Sequence, residues 1–447
     1  MSRSPFLYPG APEDPVAWRD GRYRSRAEFL AAVARLAPSL PDRPYVLNHC
    51  QDRYCFLVGL AAALSRGQVS LFPSSKASRT IEQLVRDYPG TYCLTDQAEG
   101  FEATENVFFP PEPETAGGAA EAPELVFPHE QIVGVAFTSG STGRPKPYKK
   151  TWGGFVREAQ VAARALGLEP GGRRHVVATV PAQHMYGFIA SIAIPAQLGH
   201  VVGADRPFFP EDIRRALERR DGPAILITTP VQLRACVLEK AALPPPAFIL
   251  SSTAPLHASL AEQAERLFRT RVLEFYGSTE TGAIAIRRQA QTQTWRTFDD
   301  IRVTRTRQGF TVQAPYFYQS PMVLGDNVEV YNPREFALFG RDAELVKIAG
   351  KRISLADLNH QLLAIEGVED GTFFVPDAEA GGREVRLTAF VVAPSLNKDQ
   401  VLAALRERID PVFLPRPLRL VEALPRNDTG KLPRGRLMRL WQQEALG

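Results

Sequence analysis

Phe137-Thr138-Ser139-Gly140-Ser141-Thr142-Gly143-Arg144-Pro145-Lys146 directly follows an apolar, strand-like run, Ile132-Val133-Gly134-Val135-Ala136. Glycines let a loop bend tightly and bring its backbone N–H groups close to an anion. The hydroxyls of Thr138, Ser139, Ser141 and Thr142 add donors, and Lys146 adds a mobile positive charge. Such a loop is suited to gripping a polyphosphate. It is not the P-loop, because no Gly-Lys-Ser/Thr ending is present. On composition alone a solvated Ser/Gly linker is an equal reading.

Outward from this loop, strand-like and helix-like runs alternate from Gln131 onward. Strands are expected over 175–180, 200–203, 224–229, 247–252 and 271–276, with helices over 210–217, 231–241 and 258–268 between them. Alternation with near-continuous apolar strands argues for an α/β fold, a parallel sheet covered by helices on both faces. Ligands on such sheets bind at the carboxyl ends of strands, where the Thr138 loop and the turn after Tyr276 both fall. Residues 109–123, rich in Pro, Glu, Ala and Gly, read as an exposed loop. After Gly340 the texture changes to strands over 372–375 and 385–392 and a helix over 398–408, the pattern of a smaller α+β domain.

With 447 residues the chain is long enough for two or three domains. A net charge of +4 is too mild for a nucleic-acid binder, which carries a concentrated basic face. No signal peptide is visible, and the longest apolar run, 56–64, is far short of a bilayer span and reads as a buried helix. The expected location is cytoplasmic. Four scattered cysteines, Cys50, Cys55, Cys93 and Cys236, are too few for a disulfide framework. His49, Cys50 and Cys55 lack a second pair at zinc-site spacing, so buried thiols are the better reading.

Three further segments remove the linker reading. They are Glu274-Phe275-Tyr276-Gly277-Ser278-Thr279-Glu280-Thr281-Gly282, the stretch from Phe339-Gly340-Arg341 to Lys347-Ile348-Ala349-Gly350, and Leu424-Pro425-Arg426-Asn427-Asp428-Thr429-Gly430-Lys431-Leu432. With the opening loop, in this order, they resemble the AMP-forming adenylating superfamily of acyl-CoA synthetases, adenylation domains and luciferases. The resemblance runs from about Val133 to the C-terminus. Residues before it match loosely and resemble the shortened region of small stand-alone ligases from pigment and polyketide-like clusters. The resemblance implies an adenylate-forming N-terminal domain over 1–341, divided into a shortened subdomain 1–125 and an ATP-binding core 126–341. A mobile C-terminal domain would cover 342–447.

The same resemblance implies an acid–thiol ligase that uses ATP and Mg²⁺, with CoA or the phosphopantetheine of an acyl carrier protein as thiol acceptor. Thr138, Ser139, Gly140, Ser141, Thr142, Gly143 and Lys146 would hold the β- and γ-phosphates. Glu280 would take Mg²⁺ through hard carboxylate oxygens, and Thr279 would donate to the α-phosphate. Tyr276, beside Gly277, would cover the adenine, although a core aromatic and a helix-start carboxylate are the plain alternatives for Tyr276 and Glu280. Asp326 would accept from the ribose hydroxyls with help from Arg341; relatives place Thr-Gly before this aspartate, where this chain has Leu324-Gly325. Lys431 would bridge the carboxylate and α-phosphate. Lys347 would act after rotation of the small domain, and Gly350 would leave room for a pantetheine arm. The usual pivot position holds Ala343 here, next to Asp342.

His184, Tyr186 and Gly187, then Ser252, Thr253 and Ala254, and finally Gly282 resemble segments that line the acyl pocket and flank adenine. His184 reads equally as a packed core histidine. Pro147 and Trp152 stand where relatives carry Gly and His and receive no role. The pocket residues suggest an aromatic acid such as a hydroxybenzoate, or a short acyl chain. Arg416, Arg419, Arg426, Arg434, Arg436 and Arg439 form either a docking face for an acidic carrier or CoA, or a solvated surface. A monomer or homodimer is expected, without nucleic acid or membrane. The competing readings are an acyl-AMP ligase with a non-thiol acceptor and a non-catalytic nucleotide-binding homologue.

Overall fold

A computed structural model describes residues 2–73, 75–109, 123–138, 146–218, 222, 224–306, 309–341, 345–348, 351–376, 387–427 and 430–445. Packing divides the chain into two units. One gathers Met1–Val303, Val312–Met322 and Pro333–Glu335, and the other Thr304–Thr311, Val323–Asn332 and Phe336–Gly447.

The first unit contains two large sheets, beside a short antiparallel pair of Arg3–Pro5 with Val126–Pro128. One is six-stranded, in the order Lys146–Thr151, Ile132–Thr138, Val69–Phe72, Tyr45–Asn48, Thr91–Thr95, Glu105–Phe108. Its strands are parallel except for the first pair, where Thr138 faces Lys146 in antiparallel register. The other runs Trp295–Thr297, Gly282–Arg287, Val272–Ser278, Phe248–Ser251, Ile225–Thr228, His175–Ala178, Val201–Gly203, Pro15–Arg19, Arg22–Ser25. Its centre is parallel, as the apolar strands predicted, and the two ends are antiparallel. The reason lies in the connections. Val272–Ser278 and Gly282–Arg287 are joined by three residues, enough for a hairpin and too few for a parallel crossover. Segments on either side of 125/126 interleave in both sheets, because Pro15–Ser25 pairs into the second and Ile132–Thr151 into the first.

Helices Pro210–Glu218, Pro230–Leu238 and Ala258–Phe268 cover one face of the second sheet, burying Ile213, Leu233, Ala261 and Phe268 against Leu226 and Ile249. Helix Arg53–Ser65 is buried along nearly its whole length, as the 56–64 run predicted. Its Arg53 enters the protein without a carboxylate partner among the described residues. The guanidinium donates to the carbonyls of Asp205 (2.6 Å) and Ala178 (2.8 Å), to Val180 O, and to Ser191 Oγ (3.2 Å). Burial pulls its pKa down to about 9. All four cysteines are free and buried.

In the second unit, strands Asp370–Phe374, Thr388–Val392 and Leu418–Leu420 form one sheet. Leu358, Leu362, Val401 and Leu405, from helices Leu355–Leu363 and Lys398–Arg406, pack with Phe373, Ala389 and Val391. Phe374, Phe390 and Val392 pack with Leu424 and Leu437, the latter from helix Arg434–Ala445. Alternation along Thr388–Val392 thus buries both faces, an α+β arrangement. No helix among the described residues is long and apolar enough to cross a membrane.

Candidate active site

Three adjacent parallel strands of the second sheet end side by side, with Thr228 opposite Ser251 and Ser251 opposite Glu274 in register. The segments that leave the last two ends carry eight of the residues marked in the sequence: Ser252, Thr253, Ala254, Tyr276, Gly277, Thr279, Glu280 and Gly282. Ser252 donates to Phe275 O at 2.9 Å, tying the 252–254 segment to the next strand. Thr253 has φ +81°, a conformation that costs a β-branched residue energy and is found mainly at functional sites. Tyr276 is partly exposed, and its ring lies 5.4 Å from that of Trp295. The Arg287 guanidinium lies over the same Trp295 ring, 4.1 Å from its centre, and pairs with buried Glu274 at 2.7 Å. The Tyr276 ring is therefore fixed by an ion pair, a cation–π contact and an aromatic contact in series.

The hairpin turn after Ser278 presents Glu280. Ser278 N donates to Thr281 Oγ1 (3.2 Å) and Thr281 N to Ser278 Oγ (3.3 Å), while Thr281 Oγ1 is also 2.9 Å from Gly282 O. Such side-chain bonds stand in for ladder bonds at a tight turn. Gly282 has φ +76°, and a Cβ there would sit 2.2 Å from Glu158 Oε1; one on Gly277 would sit 2.0 Å from Gly282 O. Any side chain would therefore clash with backbone at Gly277, and would be strained and displace the Glu158 carboxyl at Gly282.

The turn is held from outside by two residues the sequence reading missed. Lys150 Nζ donates to Glu280 O at 2.7 Å, and Ala283 N donates to Glu158 Oε1 at 2.7 Å. Lys150 lies on strand Lys146–Thr151, so this bond brings that strand against the Glu280 turn. Glu158 is only 4% exposed. Burial pushes its carboxyl up to about 7, against the opposing pull of Lys150 and the Ala283 N–H. Burial lowers the Lys150 ammonium, and the nearby Glu158 and Glu280 raise it. A signal for Glu158 was present. It lies three residues after Phe155 and four before Ala162, on the apolar stripe of helix Trp152–Leu166.

Lys150, Glu158 and Glu280 line a small cleft between the strand Lys146–Thr151, helix Trp152–Leu166, the Glu280 turn and the segment 316–322. Trp152 is not part of it. Its ring stacks on Phe6 at 5.3 Å and its indole N–H donates to Ser4 O, a packing role. Tyr186 is buried, with its hydroxyl 2.6 Å from Leu250 O and 3.1 Å from Thr228 O, so that hydroxyl joins two strand ends. Gly187 is required by packing, since a Cβ would meet Pro181 O at 2.0 Å. His184 immediately precedes the short helix Met185–Phe188 and is partly exposed.

In the second unit, Lys431 is exposed on a loop with a built support. Arg426 grips Asp370 through two bonds of 2.7 and 2.6 Å and donates to Gly430 O at 2.6 Å. Asn427 N donates to Lys431 O, and Lys431 N to Asn427 Oδ1, both at 2.9 Å. Arg426 thus belongs to the loop's frame rather than to an open basic face, and Arg419 and Arg434 lie over Trp441 and Phe374. Asp326 begins the strand Asp326–Asn332, Arg341 ends Glu335–Arg341, and Lys347 lies in Leu345–Ile348 opposite Arg352. Ser139, Gly140, Ser141, Thr142, Gly143 and Gly350 fall outside the described residues.

A family profile described as AMP-binding enzyme matches residues 25–327. The chain belongs to the AMP-binding enzyme family. Among curated relatives of this family, a 4-coumarate–CoA ligase from Rhodobacter capsulatus is 31% identical over 304 residues, covering 66% of this chain and 73% of its own. One from Halorhodospira halophila is 29% identical over 309 residues, with the same coverage. Among solved structures, an o-succinylbenzoate CoA synthetase from Bacillus subtilis, in complex with its acyl-adenylate intermediate, superposes with a TM-score of 0.81 at 19% identity over 98% of each chain. The α/β fold of the AMP-binding enzymes, with a large sheet-rich part and a smaller C-terminal part, is the fold of this chain.

Proposed function

We propose that this chain is an AMP-forming acid–thiol ligase. The observation that carries this is the bond from Lys150 Nζ to Glu280 O, which joins the strand that follows the hydroxyl- and glycine-rich sequence to the Tyr276–Glu280 turn. The strand that leaves the proposed polyphosphate grip is thus bonded to the carboxylate turn, which supports reading the two as one site. The relatives named CoA ligases support the reaction class.

In the first half-reaction an oxygen of the acid's carboxylate attacks the α-phosphorus of ATP, and pyrophosphate leaves. In the second, a thiol sulfur attacks the carbonyl carbon of the acyl-adenylate, and AMP leaves. Both need fixed charge rather than an acid–base triad. Thr138 and Lys146 would hold the outer phosphates, Thr279 the α-phosphate, and Tyr276 with the 252–254 segment the adenine. Asp326 and Arg341 would take the ribose, and Lys431 would bridge carboxylate and α-phosphate. Among the described residues the Glu280 carboxylate makes no hydrogen bond or ion pair, which suits a hard cation. Bound there, Mg²⁺ would offset charge on the phosphates. Lys347 and Gly350, beyond the 341/342 boundary between the adenylating and mobile parts, would serve thiolation, with CoA as acceptor.

The test is ATP–pyrophosphate exchange over benzoates, hydroxybenzoates, cinnamates and alkanoic acids, followed by thioester formation with CoA and with a phosphopantetheinyl carrier protein. Acid-dependent exchange and an acyl-CoA product are expected. Exchange with no acid, in protein that binds ATP, would sink the assignment.

A further inference from the structure

Both proposed walls of the nucleobase site hang from one buried ion pair. Glu274 and Arg287, with side chains 4% and 11% exposed, meet at 2.7 Å. The other carboxylate oxygen, Glu274 Oε1, accepts from Leu256 N at 3.0 Å, two residues beyond the 252–254 segment. The Arg287 guanidinium donates to Gln293 O at 3.2 Å and lies over the ring of Trp295, two residues further on. Trp295 is 2% exposed, and its indole N–H has no hydrogen-bond partner among the described residues. Packing rather than a hydrogen bond therefore holds this ring, with Arg287 over it and the Tyr276 ring 5.4 Å away.

We propose that Arg287 and Trp295 are positioning residues for ATP, which set nucleotide affinity by holding the Tyr276 ring where it stacks on the purine. This rests on the ligase reading above, in which Tyr276 and the 252–254 segment take the adenine. Arg287 and Trp295 act through Tyr276 and touch no substrate themselves. A ring fixed beforehand costs less to order when the base arrives, so its pose converts directly into affinity. The same carboxylate that holds Arg287 also holds Leu256, so one group fixes the two walls relative to each other. An arginine suits this place. Its planar guanidinium covers an indole face while its edge donates to Glu274 and to Gln293 O, and an ammonium group cannot do all three. Both residues lie outside the segments marked in the sequence, because their contacts with Tyr276 and Glu274 are made across neighbouring strands.

The experiment measures binding of ATP and of inorganic tripolyphosphate by calorimetry, with magnesium present, to full-length wild type, Arg287→Lys, Trp295→Leu and Trp295→Phe. Tripolyphosphate carries the phosphates without the base, so it reports the phosphate grip alone. Arg287→Lys keeps a positive charge opposite Glu274 and should fold normally, which a melting curve checks. Wild type should bind ATP about ten-fold or more tighter than tripolyphosphate, the scale of one base stacked on an aromatic ring. Arg287→Lys and Trp295→Leu should weaken ATP about five-fold or more and leave tripolyphosphate within about two-fold. Trp295→Phe keeps a ring against Tyr276 and should recover most of what Trp295→Leu loses. A merely structural role would weaken both ligands together. Equal losses for the two ligands, or unchanged ATP affinity in Arg287→Lys, would overturn the positioning role and leave the ligase reading standing. Wild type that binds ATP no better than tripolyphosphate would do the same. Wild type that binds no ATP would end both.

Discussion

Glu158 is a carboxylate whose ordinary value lies near 4.5 and whose folded value lies at about 7. Between those limits the folded protein binds the extra proton, so stability falls as pH rises from about 4.5 to 7. Lys150, Tyr316 and Glu280 are the ionisable groups that face it from the neighbouring elements. Glu158→Gln keeps an acceptor for Ala283 N–H and removes the charge. Urea unfolding at pH 5 and pH 8 should show the variant gaining on wild type by up to about 3 kcal/mol across that interval. A constant difference would contradict the assignment. Lys150→Met removes the donor to Glu280 O while keeping the aliphatic stem. Adenylation should fall about ten-fold or more with little change in melting temperature, because the lost bond positions the turn rather than the core.

At the scale of elements, the Ser278–Gly282 hairpin depends on its glycines. Gly282→Ala adds a positive-φ penalty and a methyl driven into Glu158, and should cost about 1–3 kcal/mol of stability and most of the activity. Denaturant melts with an exchange assay would check both. This element also shows how far sequence reaches. Tyr276 and Glu280 were legible because the turn's residue types are local, and the three strands before their ends were legible from apolar runs. Glu158 was not, since an isolated glutamate in a helix reads as a solvated charge until its stripe is traced, and its partner Ala283 lies 125 residues away. The antiparallel sheet ends were equally hidden, because they follow from turn lengths that apolar runs do not show. Tyr186 fell in the expected segment, yet its hydroxyl is engaged with two backbone carbonyls, a tertiary fact that no local pattern contains.

At the scale of the molecule, the second unit carries both lysines proposed for the two half-reactions, Lys431 for adenylation and Lys347 for thiolation. Lys431→Ala should slow pyrophosphate exchange by about a hundred-fold or more. Lys347→Ala should largely spare exchange and slow thioester formation; single-turnover assays of each step separate the two, and equal effects on both would contradict the division. Within the first unit the division is of another kind. Arg53 is seated in a cage of main-chain oxygens that come from 178, 180 and 205, far along the chain from its own helix. Apart from the Ser191 hydroxyl, that cage is main chain, which a substitution at the partner positions would leave in place. Chimeras that exchange the first 125 residues should therefore fold where the incoming segment brings an arginine at this position and lose folded yield where it does not.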